Sequence, residues 1–138
     1  MRGFLLDTNV LSEARKAKRA NPRVVSWIAA HRQELYLSVL VTGEVRRGIE
    51  VIRRRDRSAA GVLERWLRTL EAEFDERILP VDAAVADRWG RLMAERTMPV
   101  IDGLLAATAL VHGLTLATRN VRDVSPTGVP TVDPFVPA

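Results

Sequence analysis

Residues 4–16 read Phe-Leu-Leu-Asp-Thr-Asn-Val-Leu-Ser-Glu-Ala-Arg-Lys, and the fold turns on this stretch. A short apolar run over residues 3–6 stops at Asp7, and helix-like sequence follows at once over 9–19. A buried strand that passes directly into a helix opens a β-α unit. It leaves Asp7 at the strand's carboxyl end.

The pattern recurs downstream. Asn21 and Pro22 read as an N-cap with proline in the first turn, and the helix they open carries Val24, Val25 and Ile28 on one face. Residues 35–41 (LYLSVLV) are almost wholly apolar, as expected of a strand buried on both faces. A helix over 43–55 follows, with Val45, Ile49 and Ile52 in register. Ser58 is placed to cap the next helix, whose stripe is Leu63, Trp66, Leu67, Leu70 and Phe74. Residues 77–81 read as a short strand. Asp82 caps a helix that turns Val85, Trp89, Leu92 and Met93 inward. Residues 103–112 are apolar nearly all round and end at Gly113, a suitable C-terminal cap. Strands over 114–118 and 130–133 close the chain. Strands separated by helices predict an α/β fold with a mostly parallel sheet, and no linker or repeat divides residues 1–138, which predicts a single domain.

Composition narrows the chemistry. The chain has no cysteine, which excludes disulfides, thiol nucleophiles and cysteine-ligated metals. No stretch approaches the ~20 apolar residues of a membrane span, and the opening apolar run is too short for a signal peptide, so a soluble cytoplasmic protein without a membrane partner is expected. The net charge is +4, and every basic residue but Lys16 and Lys18 is arginine, often in clusters such as Arg53-Arg54-Arg55. Arginine forks match phosphate oxygens, although from charge alone a solvated helix face is the better explanation. His31 reads as exposed, His112 as a structural residue at a helix end, and the tryptophans as core.

Four acids fall at the carboxyl ends of strands or just beyond. Asp7 follows the first strand, Glu44 lies three residues past the second in the first turn of the next helix, Asp102 opens the central helix, and Asp123 follows Leu-Thr-Leu-Ala-Thr. In a parallel sheet the functional crevice lies outside the carboxyl edge, so the four could share one pocket. Clustered carboxylates raise one another's pKa unless a cation intervenes, and hard oxygen ligands suit Mg²⁺ or Mn²⁺. Read singly, Asp7 and Asp102 are helix caps, Glu44 a helix-dipole residue and Asp123 a turn residue; the functional reading rests on the set. Thr8, Asn9, Thr118 and Asn120 offer hydrogen bonds beside the acids.

Leu5-Leu6-Asp7-Thr8-Asn9, Leu37-Ser38-Val39 with Glu44, Val100-Ile101-Asp102-Gly103-Leu104-Leu105-Ala106-Ala107-Thr108-Ala109, and Thr118-Arg119-Asn120 with Asp123 resemble the PIN-domain ribonucleases, and among them the VapC-type toxins of toxin–antitoxin modules. The likeness spans essentially the whole chain. It implies a three-layer α/β/α sandwich, Mg²⁺- or Mn²⁺-dependent endoribonuclease activity on RNA, a homodimer, and a small cognate antitoxin whose tail enters the active-site groove. The family's acids carry over to Asp7, Glu44, Asp102 and Asp123, as catalytic and metal-binding residues. The family usually has an aromatic residue after its last acid, where this chain has Val124. Arg46, Arg47, Arg119 and Arg122 lie near the acids in sequence and are candidates for holding the RNA backbone. The competing reading is a non-catalytic PIN-like module that binds RNA or a protein. Receiver domains need a late lysine, aspartate phosphatases an Asp-x-Asp, and nucleotide-binding folds a glycine fingerprint, and none of these is present.

Overall fold

The computed structural model describes residues 2–137. Its five strands are β1 (Phe4–Leu6), β2 (Leu35–Ser38), β3 (Ile78–Leu79), β4 (Thr115–Ala117) and β5 (Thr131–Val132). Its seven helices are α1 (Thr8–Arg15), α2 (Pro22–His31), α3 (Val39–Arg53), α4 (Arg57–Phe74), α5 (Ala83–Glu95), α6 (Val100–His112) and α7 (Val121–Val124). The sheet order is β3-β2-β1-β4-β5, and every pairing is parallel.

This order places the site. The chain steps from β1 to β2 to β3 in one direction, then crosses back over β1 to lay down β4 and β5. Right-handed crossovers put connections of opposite direction on opposite faces, which produces the α/β/α layering. The direction reverses between β1 and β4, so the crevice opens at the carboxyl end of β1. The Asp7 amide donates to the Ala117 carbonyl at 2.9 Å and holds the two strand ends together there. Leu5, Leu6, Leu37, Leu116 and Ala117 fill the centre of the core with Leu105, Ala106 and Ala109 of α6.

Several boundaries differ from the sequence expectation. The strand expected over 35–41 ends at Ser38, whose hydroxyl accepts from the Leu40 amide at 3.0 Å and caps α3. Val39 to Val41 are therefore helical despite their β propensity, and Glu44 lies in the second turn of α3 rather than the first. The helix expected over 9–19 ends at Arg15, because Ala17 takes a positive φ of 54°. Asp56, not Ser58, caps α4, accepting from the Ala59 amide at 2.9 Å. The third strand shrinks from 77–81 to two residues. Val25 is exposed rather than inward with Val24. His31 is half-buried, edge-on to Phe4 and tilted against Trp27, not exposed. The tryptophans are half-buried on the rim of the core. Gly113 ends α6 in the left-handed conformation, φ 66°, as its position predicts. Among the described residues, no helix is long and apolar enough to cross a membrane.

Candidate active site

Asp7 does two jobs at once. It is the N-cap of α1, with Oδ1 accepting from the Thr8 amide at 2.7 Å, and it faces the crevice. Its other oxygen, Oδ2, accepts from the Thr118 hydroxyl at 2.7 Å and from Asn9 Nδ2 at 3.4 Å. Thr118 is fully buried at the end of β4 and accepts in turn from the Asn120 amide at 3.0 Å. Asn9 Oδ1 takes the Arg119 amide at 3.2 Å. One compact network thus ties the end of β1 to the loop after β4 and fixes the orientation of Asp7.

Thr8 points the other way. Its hydroxyl donates to Glu44 Oε1 at 2.5 Å, which brings α3 to the same cleft as α1. Asp102 enters from the first turn of α6, where Pro99 is the N-cap and contributes no side-chain bond. Asp102 is therefore not the cap of its helix. Asp7, Glu44 and Asp102 line a cleft of about 560 Å³ with Thr8, Asn9, Ser12, Asn120 and the Pro99–Ile101 wall.

Electrostatics bind the set together. Burial pushes the Asp7 carboxyl above its usual range, Thr118 and the Thr8 amide pull it down, and Glu44 pushes it up again. Burial also raises Asp102, followed by the charges of Asp7, Asp123 and Glu44. Asp123 therefore acts on the site through its charge, but it is exposed on α7 and is not among the residues lining the cleft. Among the described residues, no three carboxylates already stand close enough to grip one ion directly.

The arginines divide. Arg46 is engaged with Glu64 at 2.9 and 3.1 Å and with Glu50 at 3.0 Å, so it braces α3 against α4 and does not reach for a substrate. Arg119 lies over the Phe135 ring, 4.3 Å from its centroid. Arg47 and Arg122 are exposed, without a carboxylate partner among the described residues. The sequence reading missed Ser12 and the apolar wall. Ser12 follows Thr8 by four residues, so helical spacing alone places both on one face of α1.

With this geometry in place, comparison with known proteins is decisive. The PIN domain family model matches residues 4–123. The chain belongs to the PIN domain family. It is 33% identical over 145 residues to the VapC ribonuclease Y4jK of Sinorhizobium fredii, covering 98% of this chain and 99% of the relative. Among solved structures, the crystal structure of FitAcB from Neisseria gonorrhoeae superposes with a TM-score of 0.88 at 32% identity, over 96% of this chain and 98% of the other. A toxin–antitoxin complex from Klebsiella pneumoniae gives a TM-score of 0.74 at 25% identity, over 96% and 98%.

Proposed function

We propose that this PIN domain, a single unit over residues 1–138, is a metal-dependent endoribonuclease, the toxin of a toxin–antitoxin pair. The observation that carries the reading is the meeting of Asp7, Glu44 and Asp102 in one cleft, with two of them raised by burial and mutual repulsion. A bound cation would relieve this repulsion and favour the ionised form of the cluster. The donors are all carboxylate oxygens, and the cleft is open. Both features suit Mg²⁺ or Mn²⁺ keeping part of its water shell, as the spacing of the acids requires. The name of the Sinorhizobium relative supports RNA as the substrate, and the Klebsiella complex supports an antitoxin partner.

In this reading Asp7 and Asp102 hold the ion, Glu44 assists, and Asp123 contributes from the rim. The ion, when bound, supplies Lewis-acid neutralisation of the phosphodiester and makes an attacking water more acidic. The chain's own residues do the rest. Thr118 and Asn9 keep Asp7 turned into the cleft, and Asn120 is tied into the same network. Thr8 donates to Glu44 Oε1 and so orients this carboxylate, which lines the cleft and would accept a proton from the attacking water. Arg47 and Arg122 grip flanking phosphates, with Arg119 nearby. Arg46, taken up by Glu64, is withdrawn from that role.

A second, apolar groove supports the antitoxin. It runs between α1, α3 and α4 past Val45, Ile52, Leu63 and Trp66, and shares Thr8, Ser12 and Glu44 with the carboxylate cleft. A segment seated there would end against the acids. The toxin assembles as a homodimer and, with antitoxin, as a hetero-oligomer. The test is cleavage of a mixed RNA pool by partner-free protein with Mg²⁺, with Mn²⁺ and with EDTA. Cleavage is expected with either metal, lost in EDTA and lost in a folded Asp7→Asn variant. Cleavage that survives in that variant defeats the reading. Absent cleavage together with absent metal binding favours the non-catalytic binding module.

A further inference from the structure

The first turn of α6 is held by α5 as well as by the sheet. Gly103, the residue after Asp102, is buried. A β-carbon there would lie 3.1 Å from Met93 Sδ and 3.2 Å from both Cδ1 and Nε1 of Trp89. The Met93 thioether can swing aside, because methionine is unbranched and flexible. The indole is a rigid plane, half-buried against α6, and can give way only by moving as a whole. Trp89 Nε1 is also buried and finds no acceptor among the described residues. A buried indole N–H ordinarily keeps a partner. Here it lies against Gly103 of α6 without one.

The turn that the indole meets is closed by its own backbone, the Gly103 amide donating to the Pro99 carbonyl at 3.0 Å. Pro99 provides no side-chain cap. The influences on the Asp102 carboxyl are burial and three other acids, with no hydrogen-bond donor among them. This contrasts with Asp7, which three donors orient. The place of the Asp102 carboxylate is set by where the first turn of α6 sits.

We infer that Gly103 is a positioning residue: its missing β-carbon lets Trp89 seat against α6 and thereby places the Asp102 carboxylate in the cleft. This rests on the cleft being a divalent-cation site. An added methyl group at 103 meets the indole, and the ring and the first turn of α6 must part by a few tenths of an ångström beside Asp102.

The experiment compares wild type, Gly103→Ala, Trp89→Leu and the double variant. Mn²⁺ affinity is measured by calorimetry, kcat and KM on one RNA, and the thermal midpoint by circular dichroism. Gly103→Ala is expected to weaken Mn²⁺ binding about tenfold, the low end of what misplacing a ligand's support does. It should lower kcat and leave KM for RNA near its wild-type value. Ala is a better helix former than Gly, so a merely structural effect would not reduce metal affinity while holding the midpoint. The double variant should recover most of the loss relative to Trp89→Leu, because leucine vacates the ring's volume. Wild-type affinity in Gly103→Ala overturns the inference, as does a loss that the double variant fails to recover. A wild type that binds no Mn²⁺ defeats the cation reading instead. A crystal structure of Gly103→Ala then decides the positioning role: an Asp102 backbone unmoved from wild type overturns it, and a displaced first turn upholds it.

Discussion

Thr118→Val exchanges a hydroxyl for a methyl group of nearly equal size at a position with no exposure. The hydroxyl donates to Asp7 Oδ2 at 2.7 Å and accepts from the Asn120 amide at 3.0 Å. Without it, Oδ2 keeps only the 3.4 Å contact from Asn9. A hydrogen bond to a charged group contributes about 1.5–3 kcal/mol, while the Asn120 amide belongs to an exposed residue that water can serve. The expected loss is therefore about 2–3 kcal/mol. For a chain of this length that lowers the thermal midpoint by roughly 7–10 °C. The loss must also depend on pH. The Thr118 bond is the largest influence holding the Asp7 carboxyl down against burial. Deleting it lifts the folded pKa further above the unfolded value. A group raised in this way favours the fold below its unfolded pKa and disfavours it as pH rises through the folded pKa. The penalty should be small near about pH 4 and complete near about pH 8. Metal-free melts across that range measure it, with Thr118→Ser as the control that keeps the hydroxyl. A penalty of equal size at every pH, or none at about pH 8, refutes the assignment of Thr118 as the donor that keeps Asp7 ionised.

Asp102→Asn removes a charge that burial and three acids oppose. By the same sign, the metal-free variant should melt above wild type at neutral pH and the difference should fade in acid; a lower melting point at neutral pH contradicts this. Arg47→Ala should reduce the slope of log RNA affinity against log salt by about one phosphate contact, whereas Arg46→Ala should leave the slope and lower the melting point. Equal slopes in the two variants would overturn the division of the arginines. Glu64 is held down to about 2 by Arg46 and then Arg53, against an ordinary 4.5. A depressed carboxylate stabilises the fold above its unfolded pKa and loses that contribution as pH falls through the folded value. The advantage of wild type over Glu64→Gln should therefore shrink in an acid titration from 4.5 toward 2, and a constant gap refutes it.

The parallel sheet was legible because each buried strand is a short apolar run broken by a cap or turn residue, as at Leu6-Asp7 and Asp82. Asp7 could be placed from its neighbours alone, since the strand end and the start of α1 are adjacent in sequence. Glu44 was found for its type but displaced in context. Val39-Leu40-Val41 looks like strand, and only the Ser38 cap and the packing of Val41 against the core make it helix. Arg46 was misread because its two-pronged partner Glu64 comes from another helix, which leaves no local trace, although Glu50 four residues on was a local sign of pairing. Asp123 shows the same limit: sequence brought it to the right edge, but whether a loop residue lines a cleft or stands at its rim depends on where α7 turns. The contact of Gly103 with Trp89 was equally hidden, since glycine at 103 reads only as a weak helix former until the facing indole is seen.

The most direct test of the carboxylate cleft is a calorimetric titration of Mn²⁺ into partner-free protein near about pH 5, repeated in buffers of different ionisation heat to count protons. Because Asp7 and Asp102 are raised, binding is expected to release protons, and Asp7→Asn should abolish both the binding and the release. Mn²⁺ binding that persists unchanged in Asp7→Asn, or no binding by the wild type, would contradict a metal site built on these acids.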